Sequence, residues 1–241
     1  MLPDWTSPCG RVRLICGDCK EWLPDLSVDH CITDPPYGAE THDGARTGGD
    51  GSIKLVHFDC LTTEEFLEAT RLMVEAAQRW TVMTCEWRHA AKLEESKLPL
   101  IRLGVWIKPN GAPQFTGDRP ATGWEAVAIL HRDGKKRWNG GGLPAVWTCN
   151  KENTEHPTGK PVRLLNTWLR QFTDEGETVL DPFMGSGTTG IACLRTGRRF
   201  VGIEISTAYY QIAKARIEME LAQGTLPLSD TPRPRQEELL R

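Results

Sequence analysis

Apolar residues along the chain fall into two spacings. Short runs too brief for a helix stand at 12–16, 29–34, 81–85, 100–108, 125–131, 178–181 and 199–205. They read as seven strands, several of them buried on both faces. Between them, apolar positions recur at helical spacing. A brief helical segment is expected around Glu21 to Leu26. Thr62-Thr63-Glu64-Glu65 has the form of a capping box and opens a helix to about Trp80, with Phe66, Leu67, Met73, Val74 and Ala77 on one face. A charged helix follows at 87–97. Another starts at Pro161, whose fixed φ suits a first helical position, and carries Leu164, Leu165, Trp168, Leu169 and Phe172. Helices are also read from Ser186 to Arg195 and from Ser206 to Ala222, the last with Tyr209, Ile212, Ala213 and Ile217 inward. Strand and helix alternate, which predicts an α/β fold.

The pattern lapses in three places. From 39 to 54 glycine dominates, as expected of a mobile loop over a strand end. The stretch 109–155 mixes Gly and Pro with basic residues and tryptophans. After Gly224 the proline-rich tail reads as disordered. A chain of 241 residues can bury a full core, so residues 1–223 are expected to form one domain.

Charge and cysteine content exclude more than they assign. Net charge is −3, yet 132–163 holds seven Lys/Arg against three acids, so Arg132, Lys135, Lys136 and Arg137 are candidate phosphate contacts. A solvated loop has the same composition. No apolar run reaches a membrane span and no signal-peptide pattern is visible, so a cytoplasmic protein is expected. Eight scattered cysteines fit a reducing compartment. Cys16 and Cys19 form C-x-x-C without a second pair, so no metal site is expected.

Two stretches carry chemistry. Asp34-Pro35-Pro36-Tyr37 follows the second strand. Prolines cannot continue a ladder, and they present a carboxylate, free carbonyls and a ring rigidly beyond a strand's carboxyl end. A carboxylate and a carbonyl are pure acceptors suited to both hydrogens of an NH2 group, and a ring can stack on a heterocycle. The plain alternative is a Pro-Pro turn with a surface tyrosine. The second stretch, Gly185-Ser186-Gly187-Thr188-Thr189-Gly190, fits G-x-G-x-x-G, with Glu204 near the spacing of a ribose-binding acid. A nicotinamide-dinucleotide oxidoreductase is therefore a candidate. Asp181 just before the glycines would repel a pyrophosphate but suit a cationic cofactor, and no Lys follows as a P-loop requires.

Taken together, Asp34-Pro35-Pro36-Tyr37 and Asp181-Pro182-Phe183-Met184-Gly185-Ser186-Gly187-Thr188-Thr189 resemble the amino-group DNA methyltransferases, in the motif order of their permuted β subclass. His156-Pro157-Thr158-Gly159-Lys160-Pro161, Gly17-Asp18 and Arg198 to Glu204 are similar to further segments of that family. The resemblance implies a Rossmann-like S-adenosylmethionine-dependent fold with a seven-stranded, mostly parallel sheet and helices on both faces. It implies methyl transfer from S-adenosylmethionine to an exocyclic amine in double-stranded DNA, N6 of adenine before N4 of cytosine, with the base flipped out. Asp34, Pro35, Pro36 and Tyr37 would be catalytic. Phe183, Gly185, Ser186, Gly187 and Thr188 would shape the cofactor turn beside Asp181. Glu204 would bind the ribose, Asp18 with Cys19 would face the adenine, and Thr158 with Lys160 would lie near the cofactor carboxylate. Residues 109–155 would read the DNA sequence, and a homodimer and a role in restriction-modification follow by analogy. RNA methylation and a non-catalytic DNA-binding protein remain as alternatives. Cytosine C5 methylation through Cys9 is set aside, because Cys9 lies away from either motif.

Overall fold

Five strands that read as near-continuous apolar runs lie parallel, which requires cover on both faces. They are β2 (Val12–Cys16), β3 (His30–Thr33), β4 (Trp80–Cys85), β8 (Thr178–Asp181) and β9 (Arg199–Glu204). The computed structural model describes residues 4–36, 61–111, 113–114, 117–151 and 160–224. Within these, β1 (Trp5–Thr6), β5 (Leu100–Ile107), β6 (Trp124–His131) and β7 (Val146–Thr148) complete the sheet in the order β1-β2-β9-β8-β3-β4-β6-β5-β7. Five of the pairings are parallel; β1–β2, β4–β6 and β5–β6 are antiparallel.

The seven expected strands are all present, and two short ones join them. β1 and β7 span two and three residues, too few for a period to show. Both lie on the outer edges of the sheet, giving nine strands rather than seven.

Alternate strand residues feed two cores, as the pleat dictates. On one face Val82, Val179 and Phe200 pack against α4 (Val162–Phe172), α5 (Thr188–Arg195) and α6 (Thr207–Ala222). On the other, Met83, Leu180 and Ile203 meet α1 (Cys19–Trp22), α2 (Thr63–Ala76) and α3 (Trp87–Glu95). The capping box is real: Glu65 N–H donates to Thr62 Oγ1 and Thr62 N–H to Glu65 Oε2. α2 ends at Ala76 rather than near Trp80, because Gln78 N–H donates to the Val28 carbonyl and draws the chain toward the sheet. In α6 the inward tyrosine is Tyr210, not Tyr209, and Ile212 is exposed. Of the nine tryptophans, Trp80, Trp106, Trp147 and Trp168 are core, while Trp87 and Trp124 are exposed.

This topology has a direct consequence for chemistry. The adjacent strands β2, β9, β8 and β3 all end at the same edge, and each ends at or just before an acid: Asp18, Glu204, Asp181 and Asp34. At strand spacing, these four acids span about 14 Å along the edge where open α/β sheets bind ligands.

Candidate active site

The two motifs that lie far apart in sequence meet at one carboxylate. β3 pairs with β8 through His30–Val179 and Cys31–Leu180, which brings Thr33 beside Asp181. The Thr33 hydroxyl donates to Asp181 Oδ1 at 2.6 Å, and the Thr189 hydroxyl to Oδ2 at 2.6 Å. Phe183 N–H adds a third donor at 3.1 Å. Asp181 is 3 % exposed. Burial pushes its carboxyl up to about 6, against the pull of these hydrogen bonds. Its charge is thus spent inside the protein, not offered to a cationic ligand as the sequence suggested. It ties the residue before Asp34 to the first turn of α5.

The glycine turn is built by backbone demands. Gly185 and Gly187 have φ of +50° and +80°, a region L-residues avoid. Gly187 caps α5, whose first N–H groups are left for an anion. A Cβ on Gly185 would meet no atom within 4 Å, so the backbone there faces open space. Ser186 is buried, held at its carbonyl and hydroxyl by Arg216 of α6 at 2.6 and 2.7 Å. Thr188 and Phe183 are half-buried beside it.

Glu204 ends β9 and is 4 % exposed. Ser206 N–H donates to its Oε1 at 2.8 Å and Gly185 N–H to its Oε2 at 3.0 Å. The acid and the glycine turn are therefore one unit. The carboxylate keeps acceptor capacity beyond these backbone donors. Burial raises the Glu204 carboxyl above the usual carboxylate range. At the end of β2, Asp18 caps α1 by accepting from Lys20 N–H at 2.9 Å. The Cys19 side chain is turned into the core, its thiol pushed up to about 12 by burial, so it presents no reactive group to a ligand.

Asp34 follows β3 and is partly exposed. The Thr84 hydroxyl donates to its Oδ1, and Lys160 Nζ donates to its Oδ2 at 2.5 Å. Pro35 is buried and Pro36 half-buried behind it. Lys160 also lies 3.4 Å from Glu125, which accepts from Lys108 Nζ at 3.0 Å. Burial alone would lower the Lys160 ammonium, but Asp34 and Glu125 outweigh it and hold it above its ordinary value. Lys160, which the resemblance placed near a cofactor carboxylate, is here bonded to the catalytic candidate itself. Tyr37 and Thr158 lie outside the described residues, as do loop 39–54 and residues 225–241.

The basic quartet is elsewhere. β6 runs antiparallel to β4, with His131 opposite Trp80, so the chain after β6 emerges at the far edge of the sheet, about 17 Å along β4 from the Asp34 end. There the Arg132 guanidinium donates to the Glu75 carbonyl, and Arg137 pairs with Glu177 at 2.6 Å and Asp174 at 2.9 Å. Glu177 also accepts from Arg79, His30 and the Asp174 N–H. Burial opposes its charge, but these donors hold its carboxyl down to about 2. Lys135 and Lys136 are exposed on the same side. The structure does not bring these four residues together with Asp34. Among the described residues of 109–155, β6 and β7 belong to the sheet, and the chain leaves β5 after Ile107 and β7 after Thr148 at the Asp34 edge.

Thr33, Thr84, Thr189, Glu125, Lys108 and Arg216 complete the site and were not singled out from sequence. Thr33 adjoins one motif and Thr189 lies within the other. The other four carry no local signal. No cluster of metal-ligating side chains is present among the described residues.

Residues 28–215 match the family N6_N4_Mtase, described as DNA methylase. The chain is 31 % identical to the type II methyltransferase M2.DpnII of Streptococcus pneumoniae, over 87 % of this chain and 91 % of that protein. Among solved structures it resembles the M1.HpyAVI–SAM complex, with a TM-score of 0.63 and 28 % identity over 85 % of this chain and 99 % of that one. The PvuII cytosine-N4-specific DNA methyltransferase shares the fold, with a TM-score of 0.68 at 17 % identity over 90 % and 91 % of the two chains.

Proposed function

The chain belongs to the N6_N4_Mtase family of DNA methylases, and from that membership we propose that its target is N6 of adenine in duplex DNA. It is an S-adenosylmethionine-dependent methyltransferase acting on base amino groups of DNA. The assignment of individual residues to that chemistry is our reading. The observation that carries it is the Asp181 carboxylate joining Thr33, one residue before Asp34, to Thr189 of the glycine turn.

The residues at the strand edge fit the cofactor. The open space at Gly185 would admit it close to the backbone, Glu204 would accept from its ribose hydroxyls, and the α5 N-terminus would face an anionic group. Asp18, further along the edge, is placed for the adenine end. When bound, S-adenosylmethionine supplies an electrophilic sulfonium methyl.

The protein's own task is the amine. An exocyclic amine is a poor nucleophile because its lone pair is delocalised into the ring. Asp34 uses a free lone pair to accept one N–H, and the Pro35 carbonyl accepts the other. Two acceptors below the base plane draw the nitrogen toward tetrahedral geometry and aim its lone pair across the edge. Holding nucleophile and methyl in line can save roughly 7–11 kcal/mol. The excess proton on nitrogen after transfer has Asp34 as its nearest acceptor. Flipping the base out costs a few kcal/mol, and stacking on Tyr37, worth about 1–3 kcal/mol, offsets part of it.

An Asp-headed tetrapeptide favours adenine, and the segment that follows β5, whose end lies at the Asp34 edge, is our candidate for reading sequence. We place the enzyme in the cytoplasm, as a homodimer by family analogy; no described helix is long and apolar enough to cross a membrane. Purified protein should methylate unmodified plasmid DNA, and nucleoside mass spectrometry should return N6-methyldeoxyadenosine. N4-methyldeoxycytidine would overturn the choice of base, and methylation of RNA alone would overturn the choice of nucleic acid.

A further inference from the structure

Behind Asp34 stands a row of alternating charges that methyl transfer, as derived above, does not use. Lys160 donates to Asp34, Glu125 faces Lys160, and Lys108 donates to Glu125. The side chains of Lys160, Glu125 and Lys108 are 11, 16 and 7 % exposed. Ions so far from water need partners, and here each cation has a carboxylate. Both ammonium groups also sit against the Trp106 ring, at 5.6 and 5.9 Å from its centre, which fixes them from a second side.

The position of these residues in the chain gives the row its meaning. Lys108 directly follows β5 and Glu125 is the second residue of β6, so together they bracket residues 109–123. Asn110, within that segment, holds Lys151 by two hydrogen bonds, to its carbonyl at 2.9 Å and from its N–H at 2.7 Å. The stem of the proposed sequence-reading segment is thus wired to the catalytic carboxylate through two ion pairs.

We propose that Glu125 is a positioning residue for methyl transfer: it holds Lys160 in place, and Lys160 fixes the Asp34 carboxylate toward the target amine. This rests on the reading of Asp34 given above. Removing the Glu125 charge leaves Lys108 without the carboxylate it donates to and takes a carboxylate contact from Lys160. Asp34 then shares its free lone pairs with a cation no longer neutralised from behind, beside a nitrogen that becomes cationic as it is methylated.

The test is single-turnover transfer of labelled methyl from S-adenosylmethionine to unmethylated bacterial genomic DNA. Misplacement of a reacting group by about 1 Å can cost on the order of 10²-fold, so Glu125→Gln should slow the transfer step by about 10- to 100-fold. Cofactor affinity by calorimetry and the KM for DNA should stay within about threefold, because Glu125 is proposed to act through Lys160 and Asp34. Glu125→Asp, which restores the charge, should recover part of the rate. A wild-type transfer rate in Glu125→Gln would overturn the proposal, as would an aspartate no faster than the glutamine, or a loss appearing wholly in affinity. Asp34→Ala measured alongside separates the two claims. If it is inactive while Glu125→Gln is unimpaired, only the role of Glu125 falls; if it is fully active, the reading of Asp34 falls as well.

Discussion

Asp34→Ala is expected to abolish methyl transfer, by about 10³-fold or more, while S-adenosylmethionine binds within about threefold of the wild-type affinity. The variant removes the acceptor proposed to orient the amine and leaves the glycine turn intact, since Asp181, Glu204 and Gly185 make their contacts without it. Lys160 keeps Glu125 as a partner, so the loss does not strand a buried cation. Single-turnover rate and calorimetric affinity measured on one preparation separate the two effects. Full activity in this variant would remove Asp34 from the chemistry.

Gly187→Val is expected to weaken cofactor binding by at least about 100-fold, because two penalties fall on one residue. A side chain at φ +80° costs roughly 1–2 kcal/mol of backbone strain. Its Cβ would also lie 3.0 Å from the Ala213 Cβ and 3.3 Å from Ile217 Cδ1, forcing α5 away from α6. The turn at Gly185–Ser186 cannot keep its place when that packing opens. Gly185→Ala separates the two penalties: its Cβ meets no protein atom, so it carries only the backbone strain of φ +50°, should lose roughly 1–2 kcal/mol of stability and still fold, and should bind cofactor less tightly. Unchanged affinity in both variants would move the cofactor elsewhere.

Much of this site is legible in the sequence because its parts are local. A Pro-Pro break after an apolar run marks Asp34 at a strand end whatever the partner strands are. Gly185 and Gly187 mark a turn only glycine tolerates, and the run up to Glu204 reads as a strand on its own. Strand direction is not local. Whether the chain after β6 emerges beside Asp34 or at the opposite edge depends on β6 running against β4, and no single residue near Lys135 encodes it. Hence the basic quartet lies at the far edge, where Arg137 pairs with Glu177. Asp181 shows the same limit: its acidity was visible, but Thr33, 148 residues away, decides what the charge does. Thr84, Glu125 and Lys160 reach the site from three separate elements, so their meeting can be read only from the folded chain.

An amine-gripping strand end and a cofactor turn on one edge of the sheet should be visible in a crystal structure with S-adenosylmethionine bound. An amine held by Asp34 at about 2.7–3.2 Å and a methyl about 3–3.5 Å beyond it put that methyl within about 7 Å of the Asp34 carboxylate. That distance is expected, with the ribose hydroxyls on Glu204. A sulfonium methyl more than about 10 Å from Asp34, beyond any in-line contact with a base it holds, would contradict it.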